Sequence, residues 1–519
     1  MQFTPLNSTE EQLIRSNSNA NDTTDLLSLV GNNKLYQKIA FGYFLVAQFF
    51  ILVIFSGIPF LFYMPKFVCI NSDGSTTYCT EYQACKSKNF TIESERISFI
   101  TQFELYCERG YVQTMVKTLT FLIGSAGSFA LSIASDYIGR KPLFMIATSL
   151  LIFGCLLGLQ NNLVMAMLGI GMAILAQYIY FTFSYLYINE VVGADYRSRF
   201  IPVIQLTGVL GASFSCLISL WITSYSYIFI LNIVVHGCLS LLVFYFVETP
   251  FILNKRTNKD SLFNALCFIN KVNYKGNPCK RNENIKLLRE LIWKKNDPPV
   301  VNTRTIADSS DTHGKTEIHA SNTENDSQSS KARGLYIKVC FLFLNVYIVL
   351  GLSVVASQWI GNGNVQINTT LFSISQMVGF LYSSKYAHEI KRKALMIKFS
   401  IITILIPSLL FISGRLEYFG KSYKTGIDLA LVLVLFAASG PAISIICTYA
   451  SELFPTKTRG LGIGCGLFVG RASFIISDLF TNMGIRYNLN PICFCIFQGI
   501  IALFCAISLE ETLNRKLKG

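Results

Sequence analysis

Residues 449–480 read YASELFPTKTRGLGIGCGLFVGRASFIISDLF. The stretch opens on a charged, proline-bearing turn from Glu452 to Arg459 and continues into an apolar, glycine-rich run that still carries Arg471 and Asp478. A run of this length and apolarity is long enough to cross a bilayer. A cation inside it costs roughly 2.5 to 3.5 kcal/mol on insertion scales, so it is kept there by a partner or a task. Asp478 follows Arg471 by seven residues, close to two helical turns, and projects from nearly the same face. Both are expected to look into a polar interior, with Arg471 the first candidate for contact with a ligand.

The remainder of the chain repeats that apolar pattern. Of 519 residues 52% are hydrophobic and only 14% charged, and the mean hydropathy is +0.45. Apolar runs of membrane-spanning length fall near 39–63, 111–134, 142–160, 163–188, 200–222 and 227–247, then near 336–357, 366–384, 395–413, 427–449, 460–482 and 490–509. Twelve such runs predict an all-α, multi-pass membrane protein. Alternating ten-residue segments, the mark of a β-barrel, do not occur.

Charge sets the expected orientation. A net charge of +14 would suit nucleic acid, but the Lys and Arg residues collect in alternate loops: 136–141, 255–333 and 385–398 are basic, while 160–162, 223–227 and 361–370 carry no charge. This is the positive-inside pattern, and it predicts cytoplasmic termini and a cytoplasmic middle loop, with no nucleic-acid partner. The first apolar run begins too far in, and runs too long, for a signal-peptide core, so it is read as a retained helix.

An internal repeat organises the twelve spans. Glu190 and Arg197 in NEVVGADYR, after the fourth span, recur as Glu452 and Arg459 in SELFPTKTR, after the tenth, with the same spacing of seven. Glu248-Thr249 after the sixth span recurs as Glu511-Thr512 after the twelfth. The chain therefore reads as two six-helix halves in parallel repeat. Between the second and third spans lies Ser132-Ile-Ala-Ser-Asp136-Tyr-Ile-Gly139-Arg140-Lys141. Read alone it is a turn with helix-end charges; set in the repeat, it is a latch in which Asp136 and Arg140, held by the Gly139 turn, engage charges or a helix end of the opposite half and break on a change of state. The matching loop of the second half, His388-Glu-Ile-Lys391-Arg392-Lys393, keeps basic charge without the carboxylate position. The latch is expected to be asymmetric.

The boundaries follow: a polar tail over 1–38, a six-helix bundle over 39–249 with an extracellular loop over 64–110, a linker over 250–334, a second bundle over 335–509 and a short tail over 510–519. The loop holds Cys69, Cys79, Cys85 and Cys107, compatible with two disulfides in any of three pairings. Sequons at Asn89 and Asn368 are glycosylation candidates. In the linker Leu262, Leu266 and Ile269, then Leu287, Leu288 and Leu291, recur at helical spacing, whereas 296–333 is Ser-, Thr-, Asn- and Asp-rich without period and is expected to be disordered.

Other classes lack their signatures. The glycines at 460, 462, 464, 466 and 470 lie inside a span with no preceding strand, so they read as helix-packing positions and not as a dinucleotide loop. Neither is there a G-x-x-x-x-G-K-[ST] run, so no ATP-driven step is expected. Four histidines, with His313 and His319 in the linker, offer no evident catalytic constellation. No enzyme activity, cofactor or metal site is expected. His236, in the sixth span, reads as a structural residue before it reads as a proton relay.

The elements SFITQFELYCERG (98–110), SDYIGRK (135–141), NEVVGADYR, ETPFIL (248–253), YASELFPTKTRG (449–460) and EET (510–512), with Leu35-Tyr36-Gln37 before the first span, resemble the organic ion transporters of the major facilitator superfamily. That family comprises organic cation, organic anion and carnitine transporters. The resemblance implies two six-helix bundles around a central cavity open alternately to either side, in the plasma membrane, with a small organic ion as substrate. Departures from the family pattern are Ser132 where Gly is usual, Phe251 where Arg is usual and Glu510 where Pro is usual.

By the same resemblance Phe181 and Tyr185 stand where aromatics face substrate, and Leu342 and Val349 stand where a Trp and a Tyr are common in the seventh span. Arg471 falls where anion and carnitine transporters carry Arg and cation transporters carry Asp; Lys117 falls where Gln is usual. Two buried cations favour an organic anion, and Asp478 beside Arg471 would suit a zwitterion such as carnitine. Against this, Arg471 could simply neutralise Asp478, and Lys117 could snorkel to the interface. The alternatives are an organic cation or sugar porter of the same fold, or a membrane protein that binds or senses a ligand without moving it.

Overall fold

The computed structural model describes residues 23–31, 33–62, 65–70, 75–79, 81–87, 89–93, 97–219, 221–293, 333–351, 365–386, 389–413, 421–454, 459–487 and 492–513. Within these, the side chains of Lys117, Asp136, Arg197, Arg459 and Asp478 fall outside the description. So do nearly all of 296–333, with His313 and His319, and most of the 361–370 loop.

In lipid each backbone N–H and C=O must find its partner within its own segment, which leaves helices for apolar runs of this length. Among the described residues the long helices of the bundle are α1 (Leu35–Ser56), α2 (Gly110–Ile138), α3 (Arg140–Gly158), α4 (Leu163–Val191), α5 (Ala194–Ile218), α6 (Ser226–Val243), α7 (Arg333–Gly351), α8 (Val365–Tyr386), α9 (Arg392–Ser413), α10 (Lys421–Leu453), α11 (Arg459–Tyr487) and α12 (Ile492–Ser508). Ten helices among the described residues are long and apolar enough to cross a membrane. The first ends at Ser56 with a further turn over Ile58–Leu61, short of the expected 63, because Gly57 and Pro59 interrupt it.

The first half packs α1 against α5, α3 against α4 and α6, and α2 against α4. The second packs α8 against α10 and α9 against α10 and α12. Two seams join the halves, α5 with α8 and α2 with α11. In the α2–α11 seam a Cβ added to Gly464 would stand 2.8 Å from Ser132 Cβ. The small residue that lets these helices approach is thus on α11, which accommodates Ser132 on α2.

Between α1 and α2 lies a small separate fold, a three-stranded antiparallel sheet in the order β2 (Thr76–Cys79), β1 (Lys66–Ile70), β3 (Phe90–Glu93). Its apolar centre is little more than Phe67, Cys69 and Ala84, too small to hold a fold unaided. Two disulfides, Cys69–Cys79 and Cys85–Cys107, supply the constraint and select one of the three pairings left open by the sequence. Asn89 is exposed beside β3.

At the opposite end of the bundle the linker forms helices over Pro250–Lys255, Lys259–Asn273 and Pro278–Trp293. Leu262, Leu266, Ile269 and Leu288 are buried as the spacing predicts, whereas Leu291 is exposed and Ile292 takes its place. These helices hold the helix Thr23–Val30 and the start of α1: Asn273 Nδ2 donates to Val30 O at 2.8 Å, Asn273 Oδ1 accepts from Tyr36 N at 2.8 Å, and Asn284 Nδ2 donates to Leu29 O at 2.9 Å.

Candidate functional site

A cavity of about 90 Å³ lies at the centre of the bundle. Its wall draws on α1 (Gln48, Leu52, Phe55), α4 (Gln177, Tyr178, Phe181) and α5 (Gln205, Val209) from the first half. The second half contributes Tyr347 and Leu350 of α7, Gln376 and Phe380 of α8, Ile443 of α10, and Arg471 and Phe474 of α11. Residues 342 and 349, placed by resemblance at this wall, are instead buried at 1% exposure each, and the seventh helix presents Tyr347 and Leu350. The phase of a helix that is apolar all round could not be read from hydropathy alone.

Arg471 is 2% exposed. Its Nη1 donates to Ser128 Oγ at 2.9 Å, and its Nη2 to Tyr178 O at 3.1 Å and Thr182 Oγ1 at 3.2 Å. The guanidinium lies over the Tyr178 ring at 4.0 Å and within 5.4 Å of the Phe181 centroid. Every one of these partners belongs to α2 or α4, so a cation on the second half is held by neutral groups of the first. No carboxylate among the described residues pairs with it.

Phe181 lines the cavity as expected. Tyr185, one turn further on, is 4% exposed and packs edge-on against Phe181 at 4.9 Å. It is not part of the wall, because the wall follows Gln177, Tyr178 and Phe181 around α4. Sequence reasoning missed Tyr178, whose ring and carbonyl both meet Arg471; its only signal was its position one turn before Phe181–Thr182. Lys117 on α2 and Asp478 on α11 have side chains outside the described residues. His236 is fully buried within the first half, with Nδ1 3.1 Å from Asn232 O and its ring 5.9 Å from that of Tyr180.

At the linker end the repeat is realised in atoms. Arg140 and Arg392 open α3 and α9, where the first backbone N–H groups of a helix have no internal acceptor. Glu248 supplies one acceptor set: Oε1 takes the Arg140 N–H at 2.7 Å and Oε2 the Lys141 N–H at 3.2 Å. Glu511 does the same for Arg392 and Lys393, at 2.9 and 3.2 Å. A carboxylate at a helix N-terminus also meets the positive end of the dipole. Arg140 Nη2 reaches Glu190 Oε1 at 2.8 Å, and Arg392 Nε lies 3.7 Å from Glu452 Oε2. Thr249 donates to Glu190 at 2.6 Å, and Thr512 to Glu452. Lys141 Nζ donates to Phe244 O at 3.3 Å.

Arg392 fills the place of Arg140 although the loop before it has neither the glycine nor the aspartate, and the side chain of Asp136, on which the expected asymmetry rests, lies outside the described residues. The Arg140–Glu190 contact lies within the first half and the Arg392–Glu452 contact within the second. Gly139 has φ +103°, and an added Cβ there would run into Glu248 Oε2, so the turn and the cap need glycine together. The side chains of Asp136, Arg197 and Arg459 are not described. Asn368 is 6% exposed inside the first turn of α8, where a glycan has no room in this conformation.

Two six-helix halves, a polar-and-aromatic cavity at their junction and duplicated charge clusters at one end define a secondary transporter. The chain belongs to the Major Facilitator Superfamily, whose sequence model matches residues 110–478. It is similar to the Organic cation transporter protein of Drosophila melanogaster, 23% identical over 454 residues that cover 86% of this chain and 76% of the relative. It is also similar to the Carcinine transporter of Drosophila melanogaster, 33% identical over 90 residues; that match spans 17% of this chain and only 13% of the relative. These relatives agree with the resemblance to organic ion transporters. Among solved structures it shares its fold with the proton:xylose symporter XylE (TM-score 0.58, 13% identity, 95% of this chain and 98% of the other). The human organic anion transporter MFSD10 shares it too (TM-score 0.53, 14% identity, 91% and 99%).

Proposed function

We propose that the protein moves small organic anions, carnitine-like zwitterions included, by alternating access of the central cavity to the two sides of a membrane. One observation carries this reading: Arg471, buried at the cavity wall, has neutral hydrogen-bond partners and aromatic faces around it but no carboxylate among the described residues. A desolvated guanidinium without a counter-charge is costly, and an incoming carboxylate or sulfate would supply that charge in bidentate geometry. The aromatic wall would bury the organic body of the ligand. Lys117, if it faces the same interior, adds a second attraction, and Asp478 would meet the cationic end of a zwitterion.

The Arg471 contacts cross from α11 to α2 and α4, so a ligand that takes over the Arg471 donors loosens a tie between the halves. The charge clusters around Arg140 and Arg392 would keep each half rigid while the halves rock, with Asp136, Arg197 and Arg459 as the charges that meet between them. The basic loops favour cytoplasmic termini, and the disulfide-bearing loop favours the plasma membrane.

A second reading has its own support. A relative named as an organic cation transporter aligns with most of the chain, and aromatic walls also hold cations. Here, however, the faces of Tyr178 and Phe181 are already engaged by Arg471. Uptake into proteoliposomes of a labelled aryl carboxylate, a quaternary ammonium ion and carnitine, by wild type and Arg471→Asp, separates the readings. Anion uptake lost in the variant at unchanged protein level supports the anion reading. Cation uptake that survives the substitution makes Arg471 structural and overturns it.

A further inference from the structure

Some polar groups of the cavity wall are already matched. Arg471 is satisfied by Ser128, Tyr178 and Thr182. Gln205 Oε1 accepts from Ser444 Oγ at 2.8 Å, and Gln376 Nε2 donates to Ser439 Oγ at 3.1 Å. Four polar atoms on wall residues stand apart from this, Gln177 Oε1, Tyr178 Oη, Gln205 Nε2 and Tyr347 Oη, and among them Tyr347 Oη alone belongs to the second half. Gln177 Oε1 and Tyr347 Oη line the cavity on side chains only 6% and 5% exposed, and neither has a hydrogen-bond partner. Buried polar atoms in native proteins are nearly always bonded, so an unbonded pair at the wall of an internal cavity marks a place where something else completes them.

The chemistry of the missing partner follows from the atoms. An amide oxygen accepts and cannot donate, so the group opposite Gln177 must carry an O–H or N–H. The Tyr347 hydroxyl accepts or donates. Gln177 belongs to α4 of the first half and Tyr347 to α7 of the second, so a ligand touching both spans the junction that Arg471 also spans. The cavity of about 90 Å³ favours a compact body.

We infer that the substrate is a compact organic anion bearing a hydroxyl or amide N–H close to its acidic group, and that Gln177 and Tyr347 are the residues that select for that donor. This rests on the anion reading proposed above and narrows it. Simple aryl or alkyl acids would satisfy Arg471 and the aromatic wall but leave both oxygens unpaired. A site built to hydrogen-bond a substrate hydroxyl discriminates against the analogue lacking it far better than an apolar pocket discriminates by size.

The test uses the full-length protein in lipid nanodiscs and two acids that differ by one hydroxyl, mandelate and phenylacetate, with phenethylamine as the oppositely charged control. Wild type is expected to bind mandelate about tenfold more tightly than phenylacetate. Gln177→Met and Tyr347→Phe should each pull that ratio towards one by weakening mandelate more than phenylacetate, a split that a merely structural role would not produce. If wild type binds both acids equally, ordered water already satisfies the two oxygens; the selectivity inference is then overturned and the anion reading stands. Binding of phenethylamine with neither acid bound overturns the anion reading, and this inference with it. Should Gln177→Met fail to fold, the wild-type ratio and Tyr347→Phe decide the matter.

Discussion

The cavity and the linker end both rest on buried arginines, and the two places use them in opposite ways. Arg140 and Arg392, 3% and 6% exposed, each face a glutamate that comes from another helix of the same half. Arg471, 2% exposed, has hydroxyls, a carbonyl and two rings. Burial is common to all three; a counter-charge among the described residues is not. A buried ion pair that is complete in the resting protein holds structure, while a buried cation left with neutral partners is poised to take an anion.

The sharpest way to break this contrast is to remove both kinds of arginine and compare. Arg471→Met should lower anion uptake by about 10²- to 10⁴-fold, since two charge-assisted hydrogen bonds at about 1.5 to 3 kcal/mol each are lost, with the protein still folded and present in the membrane. Arg471→Lys should recover part of the rate, because charge remains while the planar fork is gone. Equal uptake by Arg471→Met and wild type would remove the cavity side of the comparison.

Arg140→Met should do the reverse. It leaves the largely covered Glu190 carboxylate with the Thr249 hydroxyl but without the Arg140 guanidinium, at a cost of up to about 3 kcal/mol, so the first loss is of folded protein, measured as melting temperature in detergent. The double variant Arg140→Met/Glu190→Gln should regain much of that stability. If it does not, the pair is more than an electrostatic unit.

Substitution at Gly139 sharpens the comparison between the halves. Gly139→Ala should destabilise by about 1 to 3 kcal/mol, because the φ of +103° and the nearby Glu248 leave no room for a Cβ. Its counterpart loop, which reaches the same cap from Glu511 without a glycine at positive φ among its described residues, should tolerate Lys391→Ala with little change. The smallest effect belongs to the caps. Glu248→Gln and Glu511→Gln should each cost about 1 kcal/mol and by similar amounts, since each retains one carbonyl acceptor for a helix N-terminus. Strongly unequal losses in thermal melts would show that the two halves are not built alike.

Much of this was legible in the chain. Helices of bilayer length follow from apolar runs, since lipid offers the backbone no other partner. The two halves follow from Glu190 and Arg197 recurring as Glu452 and Arg459, and Glu248-Thr249 recurring as Glu511-Thr512. Arg471 stood out because charge inside an apolar run is rare. The role of Arg392 was not legible, because the loop before it had lost the residues that mark its counterpart; its position as first residue of α9, under Glu511, replaces them. The same is true of Tyr178 and Tyr347, two aromatics among 25 tyrosines and 41 phenylalanines.

The sequence by itself determined the class of environment, the order of the helices, the twofold internal repeat and the placing of Arg471 inside an apolar run, since each depends on local composition or on register along the chain. Only the tertiary structure decided which faces of α4 and α7 meet the cavity, which glutamate serves which arginine, and that Arg471 reaches across the seam to neutral partners. Those outcomes depend on the rotation of helices about their own axes and on contacts between residues hundreds of positions apart. A helix that is apolar on every side carries no signal of its own rotation.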